Sequence, residues 1–296
     1  MKRRYIFILL LVMIVGGIFF VVSEPNSERD KTVNSNYKKP ASDLRDVHGI
    51  AVDLKDSTKL WIANHSGLYV LENDKDLFAV GSKRDDYMGF LQHPTEPNTF
   101  YTSGHSTGGG NIGFQKTTDG GQTWQKISDG INGPVDFHTM AVSKVEPSIV
   151  YGSYHGVLQK STDGGNSWVI ITNAPQAIAL TTSPTSKDTV YAATQNGLQV
   201  SIDQGTNWKV LGLEGVVLGV SVSPADANEM LASTQNQGLM KTIDGGITWQ
   251  AVTTNTAQDI VFIAYDKNNP EAIYTITQDT SISKSTDGGT SWQKIR

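Results

Sequence analysis

All six histidines lie between positions 48 and 155 of a 296-residue chain that contains no cysteine. His48 follows Asp46 by two residues and His138 follows Asp136 by two. In a strand such residues share one face, so each pair can project together. Imidazole beside carboxylate is the material of a metal or catalytic site. Without thiolates a metal would rest on nitrogen and oxygen donors. Neutral imidazole suits zinc or copper, and a nearby Met88 thioether leans toward copper(I). The absence of cysteine also excludes disulfides, thiolate catalysis and Cys-type zinc sites.

These residues need elements to hold them, and a repeat supplies the elements. Five segments share one pattern, a hydroxyl residue, Asp two positions later, Gly two further on, and Trp closing: TTDGGQTW, STDGGNSW, SIDQGTNW, TIDGGITW and STDGGTSW. Their aspartates are Asp119, Asp163, Asp203, Asp244 and Asp287, spaced by 44, 40, 41 and 43 residues. Their tryptophans are Trp124, Trp168, Trp208, Trp249 and Trp292. A period near ~40–45 residues marks a repeat with four strands per unit. In the unit after Phe137, TMAV, IVYGSY, GVLQKS and SWVII read as those strands. The Asp-Gly-Gly turn between the last two is a hairpin signal, and its carboxylate can accept backbone N–H bonds.

A second-strand motif recurs at Leu60, Phe100, Val150, Val190, Met230 and Ile273, which makes six units, the first without a box. Six four-stranded units around an axis form a β-propeller. The expected fold is therefore all-β: a six-bladed propeller over 46–296, with helix near zero. Aligned on strand two, the column after it holds His65, His105, His155, Gln195, Gln235 and Gln278. The column opening strand one holds His48, Met88, His138, Ile178, Leu218 and Val261, and two residues earlier stand Asp46, Asp86, Asp136, Gln176, Val216 and Asp259. Five histidines thus meet at the rim opposite the boxes, all in units one to three, against an apolar half. Two readings stand side by side: a metal or ligand site of His48, His65, His105, His138, His155 and Met88, or histidines that cap turns and bond neighbouring blades, as glutamine in the same column would. His93, before Pro94, reads as a turn residue at the box rim. The column Trp61, Tyr101, Tyr151, Tyr191 and Tyr274 reads as packing between blades.

The boxes resemble the Asp-box, or BNR, repeats of sialidase-like and sortilin-like propellers. That resemblance implies six blades with strand one lining a central channel, and structural rather than catalytic boxes. Sialidases of this kind grip a substrate carboxylate with three arginines. After the N-terminal segment only Arg29, Arg45, Arg84 and Arg296 occur, too few in place for a triad, so sialidase activity is not expected. A glycoside hydrolase of another type would need two facing carboxylates about 5–10 Å apart, with Asp46, Asp86, Asp136 and Asp259 as candidates. A third relative, the photosystem II assembly-factor type of propeller, binds other proteins.

Lys2, Arg3 and Arg4 precede an uncharged run of 18 residues, Tyr5 to Val22. As a helix it nearly spans a bilayer, with the basic end in the cytoplasm. The expected plan is a signal-anchor over 1–22 (a cleaved signal peptide is the rival), a polar tether over 23–45, and a body outside the cytoplasm. From Glu24 onward 21 basic residues face 29 acidic ones, which argues against nucleic-acid binding. The expected function is a membrane-tethered binding or assembly module, with a non-sialidase glycoside hydrolase as the alternative.

Overall fold

The computed structural model describes residues 38–253 and 259–296. The signal-anchor expected over 1–22, and the part of the tether before Lys38, lie outside the described residues. Among the described residues there is no helix, and so none long and apolar enough to cross a membrane.

Six antiparallel sheets follow one another along the chain, over 47–80, 86–128, 139–170, 179–211, 217–251 and 260–294. Each is a four-stranded meander in sequence order, which makes each a propeller blade. The inner strands, among them Val47–Val52, Asp86–Gln92 and Thr139–Val142, line a central channel. Blades pack through side chains rather than shared strands. At the joint of blades one and two, Trp61 lies 4.9 Å from Phe100; at the next, Phe114 lies 5.3 Å from the box Trp168 of blade three. The aromatic column is buried, with Tyr151 and Tyr274 fully enclosed, as packing between blades requires. Burial of each such ring contributes about 1.5–3 kcal/mol.

All five Asp-boxes close alike. In the first, Thr117 Oγ1 donates to Asp119 Oδ1 at 2.7 Å, and the Thr123 N–H donates to the same oxygen at 2.9 Å. Asp163, Asp203, Asp244 and Asp287 repeat this, and hydrogen bonds from the residue four positions on hold their carboxyls down at about 2. Four box tryptophans, Trp168, Trp208, Trp249 and Trp292, donate Nε1–H to the carbonyl three residues earlier. The boxes are structural, because every carboxylate is committed to its own turn.

The box also ends the blade. Outer strands of boxed blades are short, with Val169–Ile170, Gln250–Ala251 and Gln293–Lys294 only two residues each. Blade one has no box, and its outer strand Asp76–Val80 runs five residues. A long open edge invites pairing. Here Lys38–Pro40 covers it, in register from Lys38 opposite Val80 to Pro40 opposite Phe78. The last part of the stretch expected as a tether is therefore part of the fold, because blade one needs an edge that its own sequence does not terminate.

From that edge the chain runs to the inner strand of blade one along the joint with blade six. Leu44 is buried there with Ile276 and Ile282. Arg296 Nη2–H donates to the Ser42 carbonyl at 2.7 Å. Lys284 and Tyr274 of blade six both reach Asp74 of blade one. The ring closes through this crossing segment and through side chains, with no strand exchanged between the first and last blades among the described residues.

Candidate functional site at the histidine rim

The rim opposite the boxes is built where strand one begins and strand two ends. Local irregularities shape it. Pairing of the first two strands slips between Val47 and Gly49 in blade one and between Asp86 and Gly89 in blade two. Asp46 itself has a positive φ of 47°. A bulge breaks the two-residue alternation and re-aims side chains.

The consequence is pairing across joints. His65, at the turn after strand two of blade one, bonds through Nδ1 to Asp86 Oδ2 of blade two. On its other side His65 Nε2 stands 3.7 Å from Asp46 Oδ2. His48 Nε2 lies 3.5 Å from Asp86 Oδ1, and its ring meets that of His65 edge-on at 4.6 Å. Burial lowers the pKa of His48 against the opposing pull of Asp86, so the neutral ring is favoured. One joint further round, His105 Nε2 and His138 Nε2 lie 2.9 Å and 2.8 Å from the same oxygen, Asp136 Oδ2. The Asp136 bond raises the pKa of His138. Each set offers three donor atoms within 4.8 Å of one another.

The expected pairing of Asp136 with His138 is present. The expected pairing of Asp46 with His48 is replaced: the bulge hands Asp46 to His65 and turns His48 toward Asp86. His155 belongs to neither three-residue set. It occupies a turn with φ 50°, its ring 4.1 Å from that of Tyr154. Met88 lines the channel together with His48, His138, Ile178, Leu218 and Val261, so the apolar half stands where expected. Asp259 is exposed on blade six, its carbonyl accepting from the Gln278 N–H. His93 is a buried turn cap whose Nδ1 accepts the Thr95 and Glu96 N–H bonds.

At the first two joints the histidine after strand two of one blade meets the lead aspartate of the next, His65 against Asp86 and His105 against Asp136. Before blade four the lead is Gln176, and the joint of blades three and four opens into a cleft of about 810 Å³. Its walls include His138, Tyr154, His155, Gln176 and Asn196. Asn111, from the loop between the middle strands of blade two, donates to Tyr154 Oη at 3.0 Å and fixes that wall. The Gln176 substitution was visible in the aligned columns. Asn111 carried no sequence signal, since its loop has no counterpart in the other units.

Asp136 is buried and Asp86 half-buried, each engaged by histidines of this rim. Neither arginine of the body proper reaches this site: Arg45 pairs with Asp43, and Arg84 donates to the Lys83 carbonyl.

The BNR/Asp-box repeat pattern matches residues 115–126, the first of the five boxes. No curated protein matches the chain in sequence. Among solved structures the chain is similar to an ancestral GH74 enzyme, at 13% identity and a TM-score of 0.58, over 84% of this chain and 37% of that one. It is similar to the GH74 enzyme of Niastella koreensis at 17% identity and a TM-score of 0.59, over 86% of this chain and 55% of that one. It is also similar to YCF48 bound to D1 peptide, at 14% identity and a TM-score of 0.52, over 87% of this chain and 84% of that one. The chain thus spans well under two thirds of either GH74 enzyme. These likenesses bear on the fold, a six-bladed β-propeller carrying Asp-box repeats.

Proposed function

We propose that the chain is a membrane-tethered binding module, held outside the cytoplasm, that takes its partner in the cleft between blades three and four. The basic residues Lys2, Arg3 and Arg4 before the uncharged run support the tethering. The observation that carries the binding reading is the cleft itself, with about 810 Å³ walled by amide, imidazole and phenol groups. Most of these groups donate and accept hydrogen bonds without carrying a charge, Asp136 being the carboxylate among them. They suit a neutral polar chain, either an extended peptide backbone or an oligosaccharide. Asp136, the carboxylate at the cleft, is 3% exposed and engaged by two histidines, which leaves it poorly placed as one half of a hydrolase pair.

Glycan and peptide arrays probed with the full chain in detergent test this reading. Tyr154→Phe and Gln176→Ala should each weaken the retained ligand about fivefold, as loss of one hydrogen bond of about 1 kcal/mol would. Release of new reducing ends from a polysaccharide panel, abolished by Asp136→Asn, would replace binding with glycoside hydrolysis.

A further inference from the structure

We infer that His48, His65 and Asp86, at the joint of blades one and two, hold a divalent transition-metal ion of the zinc class. This stands apart from what the cleft binds, since none of the three residues lines it.

The inference starts from two atoms without partners. His48 Nε2 and Asp86 Oδ1 are both buried, and neither has a hydrogen-bond partner. They face each other at 3.5 Å. A hydrogen bond would draw them to about 2.9 Å. Two donors on one tetrahedral zinc, each about 2.0–2.1 Å from the ion, stand about 3.3 Å apart. The observed gap is that of two ligands on a common ion.

His65 supplies the third donor through Nδ1, which lies against the other oxygen of Asp86. It has the support that a metal-bound imidazole usually has. Its second nitrogen, Nε2, is 3.7 Å from Asp46 Oδ2, so a carboxylate stands behind the ligand, within reach of a small ring rotation. His48 and His65 meet edge-on, with their rings at 83°, which spreads the two nitrogens rather than stacking them. Two imidazoles and one carboxylate leave a fourth position for water or another donor. The carboxylate favours a divalent ion over copper(I), which prefers sulfur.

The neighbouring set serves as the internal control. There both histidines bond the same oxygen of Asp136 at hydrogen-bond distance, and no pair of orphaned atoms spans a gap. Its needs are met by the protein alone, apart from Asp136 Oδ1.

The test is calorimetric titration of zinc sulfate into the full chain in detergent after EDTA treatment and dialysis. One equivalent should bind. His48→Gln and His65→Gln should each weaken binding about 100-fold, and Asp46→Asn about 10-fold, as loss of a supporting carboxylate does. His105→Gln should leave it unchanged. Absence of a saturable zinc heat would overturn the inference, as would binding that survives both His48→Gln and His65→Gln or that is lost in His105→Gln. Thermal melts of the variants in EDTA guard against misfolding, and Asp46→Asn, which replaces an exposed carboxylate by an amide, keeps the test available if the histidine variants fail to fold. Cleft binding measured in EDTA is a separate readout, so failure here leaves the binding proposal standing.

Discussion

Lys284 of blade six donates to both oxygens of Asp74 of blade one, at 3.1 Å and 2.8 Å. Tyr274 Oη–H donates to the same carboxylate at 3.1 Å. These bonds tie the last blade to the first, where no strand is shared. Asp74→Ala should therefore lower stability by about 1–2 kcal/mol in urea unfolding, more than an exposed ion pair alone would. Lys75→Ala, one residue away and outside this network, should change it by less than about 0.5 kcal/mol. Equal effects of the two changes would mean that apolar packing alone closes the ring.

The box aspartates set the acid limit of the fold. Asp163, Asp203, Asp244 and Asp287 are held at about 2, below their ordinary 3.8, chiefly by bonds from Ser167, Asn207, Thr248 and Ser291. A depressed carboxylate adds stability that is complete above the unfolded value and fades as pH falls through the folded one. The urea midpoint should therefore drop between pH 4 and pH 2. In the double variant Asp163→Ala/Asp244→Ala it should start lower and drop less steeply over the same window.

Lys144 works in the opposite sense. It stands at the channel mouth on the box side, its Nζ–H donating to the Val222 carbonyl two blades away at 3.2 Å, and burial pulls its pKa from 10.5 down to about 8. The unfolded chain then holds more protons than the folded one between about pH 8 and 10.5, so this residue makes stability rise with pH there. Lys144→Met should raise the melting temperature at pH 7, with a gain that shrinks by pH 10. A gain independent of pH would point to packing rather than charge burial.

Close approach of inner strands depends on missing side chains. A Cβ on Gly89 would fall 2.5 Å from the Phe137 carbonyl oxygen of the next blade. Gly89→Ala should cost about 1–3 kcal/mol by overpacking, readable as a lower denaturant midpoint. Gly109→Ser is the comparison: its Cβ would meet nothing within 4 Å, so only its φ of 87° is strained.

The blades were legible in the sequence because each repeats a local rule: box aspartate to its own turn, aromatic column to the joint, His93 to the turn it caps. The rim was half legible. The columns placed five of the six histidines on one rim with Asp46, Asp86, Asp136 and Asp259, and the Asp136–His138 pair follows strand alternation. The partners of His48 and His65 did not follow, because bulges near Val47 and Asp86 cancel the alternation, and a bulge depends on backbone contacts between strands. The pairing of Lys38–Pro40 with Phe78–Val80 was hidden for another reason. Those three residues show no hydrophobic period, since their role is to occupy backbone hydrogen bonds rather than to bury side chains.

That covering strand also divides the chain for a protease. A cut before Lys38 leaves blade one finished and its edge occupied. A cut beyond Pro40 strips the cover from Asp76–Val80 and frees the segment that carries Leu44 into the seam between the first and last blades. An intact ring thus needs Lys38–Pro40, and a chain trimmed a few residues further would be prone to dimerise edge to edge through blade one.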